Sequence, residues 1–416
     1  MLAVLSTRLC SAQVDTLRIA TYNLLKFPYN NSAGRIPHFR VVIKSLQPDI
    51  LVVQELQTAQ GLLTFLSEVM NYDQPGVYQS AAFVNGFDTD NGLFFKHEKI
   101  DLLGTQQIRT DLRNISEYAL SSHGVNFRVY SLHLKAGNTA GDENRRANEA
   151  ATLRNYLNSF PANVDFIVAG DFNTYRSSEL GFVKLTEPQA DDDGRLWDPI
   201  NSLGDWNNNG SFAGIHTQST RTAVIDSGAT GGLDDRFDLL LASASLLSSG
   251  GMDYVAGTYK AFGNDGRHFN QPINLGTNTA VPDSVANALY FASDHLPVYA
   301  DFISGTVSAV SASPSESTPS GFVLRQNYPN PFSANCQTEI HFKLPTASSV
   351  RLEIFNLLGQ RVAVLVDRKG VVGEHQVFWN GRREDGHTVP GGIYFYRMEI
   401  RDSSLNWSAV RKMVVL

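Results

Sequence analysis

"VDFIVAGDFNTY", residues 164–175, decides how the first three quarters of this chain fold. The run 164–170 is short, mostly apolar and rich in β-branched and aromatic residues, which predicts a buried strand. It then breaks into Asp171, Phe172 and Asn173. An aspartate and an asparagine at the end of a buried strand each have a local explanation as turn or cap residues. The same pattern recurs along the chain, and the recurrence needs another explanation.

Asn23 follows "LRIATY", Glu55 follows "ILVVQ" and His133 lies near the end of "RVYSL". Asp238 opens "LLLAS", and Asp294 with His295 precedes "LPVYADF". Helices are expected at 39–46, at 59–70 and over the amphipathic "ENRRANEAATLRNYLNSF". Strands alternating with helices, and several strands without a helix between them, predict sheets stacked as a sandwich and covered by helices. Antiparallel returns would bring the C-terminal ends of some strands level with the starts of others, so all six polar clusters can share one edge.

Glu55, Asp171, Asp238 and Asp294, with Asn23 and Asn173, form a hard-oxygen set suited to Mg2+ or Mn2+ with open water positions. No Cys ligand pair or HExxH supports zinc. Carboxylates gathered without a cation would raise one another's pKa. Two histidines beside them can carry protons near neutral pH. Such a set points to metal-assisted phosphoester hydrolysis.

Composition bounds the reading. The 416 residues, 42% hydrophobic and 18% charged, exceed what one core serves, and no apolar run reaches a membrane-spanning length of ~18 residues. From Ser304 onward there are 12 basic and 9 acidic residues, leaving 22 and 32 in 1–303. An acidic catalytic segment argues against tight bulk electrostatic grip on nucleic acid, though not against a polyanion met through metal ions. Cys10 and Cys336 are the only cysteines and lie in different segments, so no disulfide framework is expected.

The order "TYNLL", "VVQEL", "SLHLKAG", "VAGDFNTY", "DDRFDLLLAS" and "SDHLPV" resembles the endonuclease/exonuclease/phosphatase family over nearly all of 17–303. The resemblance implies a four-layer α/β sandwich, two β-sheets flanked by helices, with the active site at one rim. It implies Glu55 as principal Mg2+ ligand, with Asn23 and Asp294 in the metal network. Asp171 and Asn173 would orient water and phosphate, and His295 held by Asp238 would be base or phosphate contact. His133 would be general acid, and Arg113 in "TDLRNISEYALSS" a phosphate contact. The expected activity is a secreted metal-dependent phosphodiesterase, a nuclease acting on extracellular DNA or RNA. A phosphatase or sphingomyelinase-type phospholipase is the alternative with the same chemistry, and a catalytically silent surface binding protein the alternative from another class.

"GIHTQSTR" (214–221) and "FGNDGRHFN" (262–270) are long loops, so His216, Arg221, Arg267 and His268 are further candidates to line a cleft, His216 as a phosphate contact. "DWNNNG" (205–210) begins like a calcium loop, but the closing Glu would fall on His216; there and at "ADDDG" (190–194) a structural Ca2+ is the minor reading and a polar turn the main one.

Residues 304–320 have the Ser/Pro/Thr composition of a linker. Beyond them, turn-punctuated short strands predict a small immunoglobulin-like β-sandwich. "NYPNPF", "LEIFNLLGQRVAVL" and "WNGRREDGHTVPGGIYFYRM" resemble the type A sorting domain of the type IX secretion system, over 321–416. That resemblance implies export from a Gram-negative bacterium by that machinery, then release or surface attachment. "LAVL" before "CSAQ" reads as the remnant of a signal peptide within 1–16. A monomer is expected.

Overall fold

A computed structural model describes residues 15–29, 31–161, 163–247, 251–304, 322–327, 330, 332, 337–356, 360–402 and 405–415. The expected signal-peptide remnant, apart from Asp15 and Thr16, the linker beyond Ser304, and both cysteines lie outside the described residues. The chain divides into two compact units, 1–307 and 308–416.

In the first unit the strands are β1 (Asp15–Phe27), β2 (Ile50–Leu56), β3 (Tyr78–Ser80), β4 (Asp90–Lys96), β5 (Asp101–Ile108), β6 (Ile115–Ser122), β7 (Val125–His133), β8 (Phe166–Asp171), β9 (Leu196–Trp197), β10 (Asp238–Ser243), β11 (Met252–Tyr254), β12 (Lys260–Ala261) and β13 (Val298–Ser304). The helices are α1 (Ser32–Leu46), α2 (Ala59–Phe65), α3 (Ala140–Leu157), α4 (Leu180–Thr186) and α5 (Asp283–Ala292). One sheet runs β11-β13-β1-β2-β4-β3, with β12 also on β13; the other runs β5-β6-β7-β8-β10-β9. Each holds one parallel pair, β1 with β2 and β7 with β8, and each pair is joined through a helix.

Period-two patterning sorts the side chains into layers. Leu17 and Ile19 of β1, Ile50 and Val52 of β2, Val129 of β7, Ile167 and Ala169 of β8 and Leu240 of β10 fill one core between the sheets. Their neighbours Ala20, Tyr22, Leu51 and Val53 pack against Phe39, Val42 and Leu46 of α1 and Leu289 of α5. Tyr130, Leu132, Val168 and Leu239 pack against Leu153 and Leu157 of α3 and Phe182 of α4. The result is the four-layer sandwich. Each fully buried aliphatic or aromatic side chain contributes about 1.5–3 kcal/mol.

Helix α3 starts where a capping box closes: Thr139 accepts from Asp142 N, and the Asp142 side chain accepts from Thr139 N. Helix α1 begins seven residues earlier than the sequence expectation of 39–46, because Gly34 and Pro37 disguise its first turns. The hairpin of β5 and β6 and helix α5 were not foreseen. One cause is visible in β5, an edge strand with little buried apolar surface.

In the second unit, β14 (Val323–Leu324), β15 (Thr338–Leu344) and β18 (Gly373–Trp379) form one sheet. The strands β16 (Ser348–Asn356), β17 (Arg361–Gly370), β19 (Gly392–Asp402) and β20 (Leu405–Val415) form the other. Ile340, Phe342, Leu352, Ile354, Trp379, Tyr396 and Met398 join both sheets in one core, an all-β sandwich. Among the described residues no helix is long and apolar enough to cross a membrane.

Candidate active site

The inter-sheet face continues past its apolar stretch at one end of the sandwich. Two residues beyond Ile19 and Ala169 come Thr21 and Asp171, and beyond Thr21 comes Asn23. On β7 the same face carries Val129, Ser131 and His133, and on β10 it begins with Asp238. Register aligns them: Asp171 lies opposite His133 across a parallel pair and opposite Asp238 across an antiparallel pair. A slip of one residue would turn the whole set toward the helices.

Close backbone approach fixes that register. Gly170 has φ +149°, and a Cβ there would stand 2.0 Å from the Leu132 carbonyl oxygen. Between β1 and β2 the register shifts after Asn23, with Leu25, Lys26 and Glu55 at φ 48°, 51° and 61°. This irregularity turns the backbone at Glu55 out of strand alternation, and its side chain meets the Asn23 amide and the Lys26 N–H at the rim.

Asn23 Nδ2 donates to Glu55 Oε1 and to Asp171 Oδ2, both at 3.1 Å. Its Oδ1 accepts from Leu25 N at 3.0 Å, so the amide bridges two carboxylates, where a metal ligand was expected. Asp171 Oδ1 accepts from Asn173 N, and Asn173 Nδ2 donates to Leu134 O. His133 Nε2 is 3.5 Å and His295 Nε2 3.8 Å from Asp171 Oδ2. His295 Nδ1 is 2.7 Å from Asp238 Oδ2. Asp294 Oδ2 accepts from Ala229 N at 2.6 Å, and Ser293 Oγ donates to Asn23 O at 2.7 Å, tying this segment to β1. The six sequence clusters therefore meet at one rim.

Their environments push the titrations apart. Burial lifts the Asp171 carboxyl to about 7, with the His295 charge opposing and Asp238 and Glu55 adding to the rise. Burial would lower His295, yet Asp238, Asp171 and Asp294 hold it well above an ordinary imidazole. His133 is pushed well below, first by burial and then by Arg113 and His295. Close packing and the Asp294 charge raise Glu55.

Among the described residues no three His, Cys, Asp or Glu side chains are grouped to hold a metal ion. Magnesium does not need such a cage, since it binds through one or two carboxylates and keeps waters. Glu55 fits that habit: each of its oxygens accepts one hydrogen bond, and it is partly exposed at the rim.

Other candidates fall elsewhere. Arg113 is a rim residue, paired through Nε and Nη2 with Asp88 and donating through Nη1 to Leu134 O, the carbonyl that also receives Asn173. His216 is wholly buried with its two ring nitrogens against Leu233 O and Trp206 O, which leaves no face for a phosphate. His268 is likewise internal, held by Asp265 and Leu275 O, and Arg221 is buried behind Asp294 with Nη1 on Tyr290 O. Arg267 is exposed. The two calcium-like stretches serve as turns: Asn209 caps the 3-10 turn Gly210–Ile215, Asn207 donates to Asp235, and Asp192 pairs with Arg154.

The sequence reading missed a polar floor under the rim. Thr21 donates to Gln54, Gln54 to Ser131 Oγ, and Asn91 to Ser131 O, all buried between the sheets. Gln54, polar within "ILVVQEL", was its one visible signal. Gln218, 2.6 Å from His295 Nε2, was also missed.

A rim of carboxylates, amides and imidazoles at one end of a two-sheet sandwich defines a phosphoesterase-type fold and site. The chain belongs to the Endonuclease/Exonuclease/phosphatase family, whose model matches residues 20–295. Similar solved structures include D. rerio TDP2 complexed with single-strand DNA product, at 15% identity over 69% of this chain and 98% of that one, TM-score 0.46. A family protein from Bacteroides thetaiotaomicron shows 18% identity over 70% and 96%, TM-score 0.43. The human Nocturnin catalytic domain with bound sulfate shows 19% identity over 71% and 98%, TM-score 0.42. No curated protein sequence matched the chain.

Proposed function

We propose that the first unit is a divalent-metal-dependent phosphodiesterase acting on nucleic acid. The observation that carries the chemistry is the division of labour around Asp171. Asp171, whose carboxyl burial raises, can take a proton from an attacking water, and His295, 3.8 Å from it and held by Asp238 at 2.7 Å, can stabilise charge developing on phosphoryl oxygens. Asn23 and Asn173 hold the Asp171 oxygens in place. His133, which burial, Arg113 and His295 disfavour as a cation, faces Asp171 Oδ2 through Nε2 at 3.5 Å, in reach of the reacting groups. Glu55, with Asp294 near it, would hold the cation, which when bound polarises the phosphoryl group.

Exposed rings favour a nucleic-acid substrate. Tyr29 (57% exposed) follows the end of β1 and Phe87 (80%) precedes β4, whose first residue Asp90 pairs with Leu56 at the Glu55 edge. Solvated rings on segments that lead into the strands of the site suit base stacking. Hydrolysis of plasmid DNA, RNA, sphingomyelin, inositol phosphates and bis-p-nitrophenyl phosphate, with Mg2+ and with EDTA, tests the reading. Metal-dependent turnover of nucleic acid is expected, and activity that survives EDTA, or is confined to monoesters or lipid, overturns it.

The proposed cell biology is export, with 321–416 as the sorting segment of a secreted enzyme. It rests on the motif resemblance and on a self-contained β-core in the second unit. Truncation after residue 320 should leave the enzyme inside its native cell.

A further inference from the structure

The two ring nitrogens of His295 face different partners. Nδ1 points to Asp238 Oδ2, and an ionised carboxylate takes only donors, so Nδ1 carries a proton. Nε2 is the edge left for chemistry, 3.8 Å from Asp171 Oδ2. Gln218 Nε2 stands 2.6 Å from that same nitrogen; beside a protonated Nε2 the amide must turn its oxygen inward, so that Gln218 Oε1 accepts from Nε2–H.

Gln218 is not a loose surface group that happens to reach the ring. Its main chain bridges both Asp235 and His295. Gln218 N donates to Asp235 O, and Gln218 O accepts from Asp234 N and Asp235 N. On one side of it, Thr217 Oγ1 accepts from Phe237 N and Asp238 N while Thr217 O accepts from Leu296 N. On the other side, Thr220 N donates to Asp294 O. Residues 217–220 thus form a tie between the strand entry that carries Asp238 and the one that carries His295. The Gln218 side chain is partly open to solvent, unlike Thr217 and Ser219 beside it.

We infer that Gln218 is a positioning residue for His295: its side-chain amide, with the oxygen turned to accept from Nε2–H, holds the ring in the rotation at which a phosphoryl oxygen can share that proton. The tie fixes the Asp238–His295 spacing, and the amide fixes the rotation of the ring about it. A ring held only by the Asp238 bond could swing about that axis, and a small misorientation of a charged donor lowers turnover without preventing binding. The activity part of this inference rests on the proposed hydrolase reading, and the ring contact itself does not.

The test uses the full chain with Mg2+, carrying Q218M, which keeps length and loses the amide, and Q218A as a second variant. With Tm and circular dichroism unchanged, kcat on bis-p-nitrophenyl phosphate should fall ~10–100-fold with KM within ~3-fold. In 15N-histidine-labelled protein, the Nε2 resonance of His295, assigned by its loss in H295Q, should move in Q218M while the other histidines stay. An unmoved resonance, or full kcat in both variants, overturns the inference. If the wild-type chain cleaves no phosphoester, the hydrolase reading fails, and the resonance alone decides whether Gln218 holds the ring.

Discussion

His295 Nδ1 lies 2.7 Å from Asp238 Oδ2, with the two side chains 3% and 0% exposed. Asp238 enters its strand opposite Asp171, and His295 comes from a segment that the tie at Thr217 holds beside it. A buried carboxylate here sets ring orientation and ring charge together. D238N keeps the shape and removes the charge, so His295 should lose its raised pKa. We expect kcat/KM to fall ~10²–10⁴-fold in D238N and at least as far in H295A, with unchanged circular dichroism. Near-normal turnover in either would remove the imidazolium from the mechanism.

Gly170 offers a test of the scaffold. A Cβ would meet the Leu132 carbonyl oxygen at 2.0 Å, and that contact is backbone, which cannot swing aside. G170A must push β7 and β8 apart at the point where His133, Asp171 and Asp238 are aligned. A loss of about 2–4 kcal/mol is expected, and activity should fall further than the unfolded fraction explains. Thermal unfolding with and without metal reads the first, and turnover at low temperature the second.

How much of this was written in the sequence depends on the type of signal. Strands such as 166–171, buried on both faces, announce themselves as apolar runs, and a polar residue at their ends stands out. Asn23, Glu55, His133, Asp171, Asp238 and His295 were legible for that reason. Gln218 and the Thr21–Gln54–Ser131 floor were not, because each is a common polar residue whose role exists only once distant segments meet. His216 misled in the opposite sense: a histidine in a long loop reads as functional, and here two main-chain carbonyls enclose it. Asn23 sits in the site as expected but spends its amide between carboxylates, a difference set by the β1–β2 irregularity.

Tyr29 and Phe87 separate a polymer substrate from a small one. Neither ring is needed to fill the core, so removing them should leave stability within about 0.5 kcal/mol. On single-stranded DNA, Y29A and F87A should each raise KM ~5–50-fold, corresponding to about 1–2 kcal/mol of lost stacking. On bis-p-nitrophenyl phosphate they should behave as wild type. Equal effects on both substrates, or none on DNA, would leave these rings without a role in binding bases.

Asp235 carries a pH signature that can be read without any activity. Burial raises its carboxyl from 3.8 to about 7, the Asn207 hydrogen bond opposes that, and Asp234 adds to it. Because the folded-state pKa lies above the unfolded one, the folded chain keeps this proton after the unfolded chain has lost it. Stability therefore falls as pH rises from about 4 to about 7 and is flat above, where the carboxylate is charged in both states. D235N keeps an oxygen to accept from Asn207 Nδ2, now at 2.8 Å from Asp235 Oδ1, and removes the buried charge. Its Tm should match wild type near pH 4 and exceed it by about 2–5 °C at pH 8, for a partly solvated group worth about 1–2 kcal/mol. A gain largest at pH 4, or a loss at pH 8, would mean that the Asp235 carboxylate is stabilised in the fold, with a cation or a donor facing it that outweighs its burial.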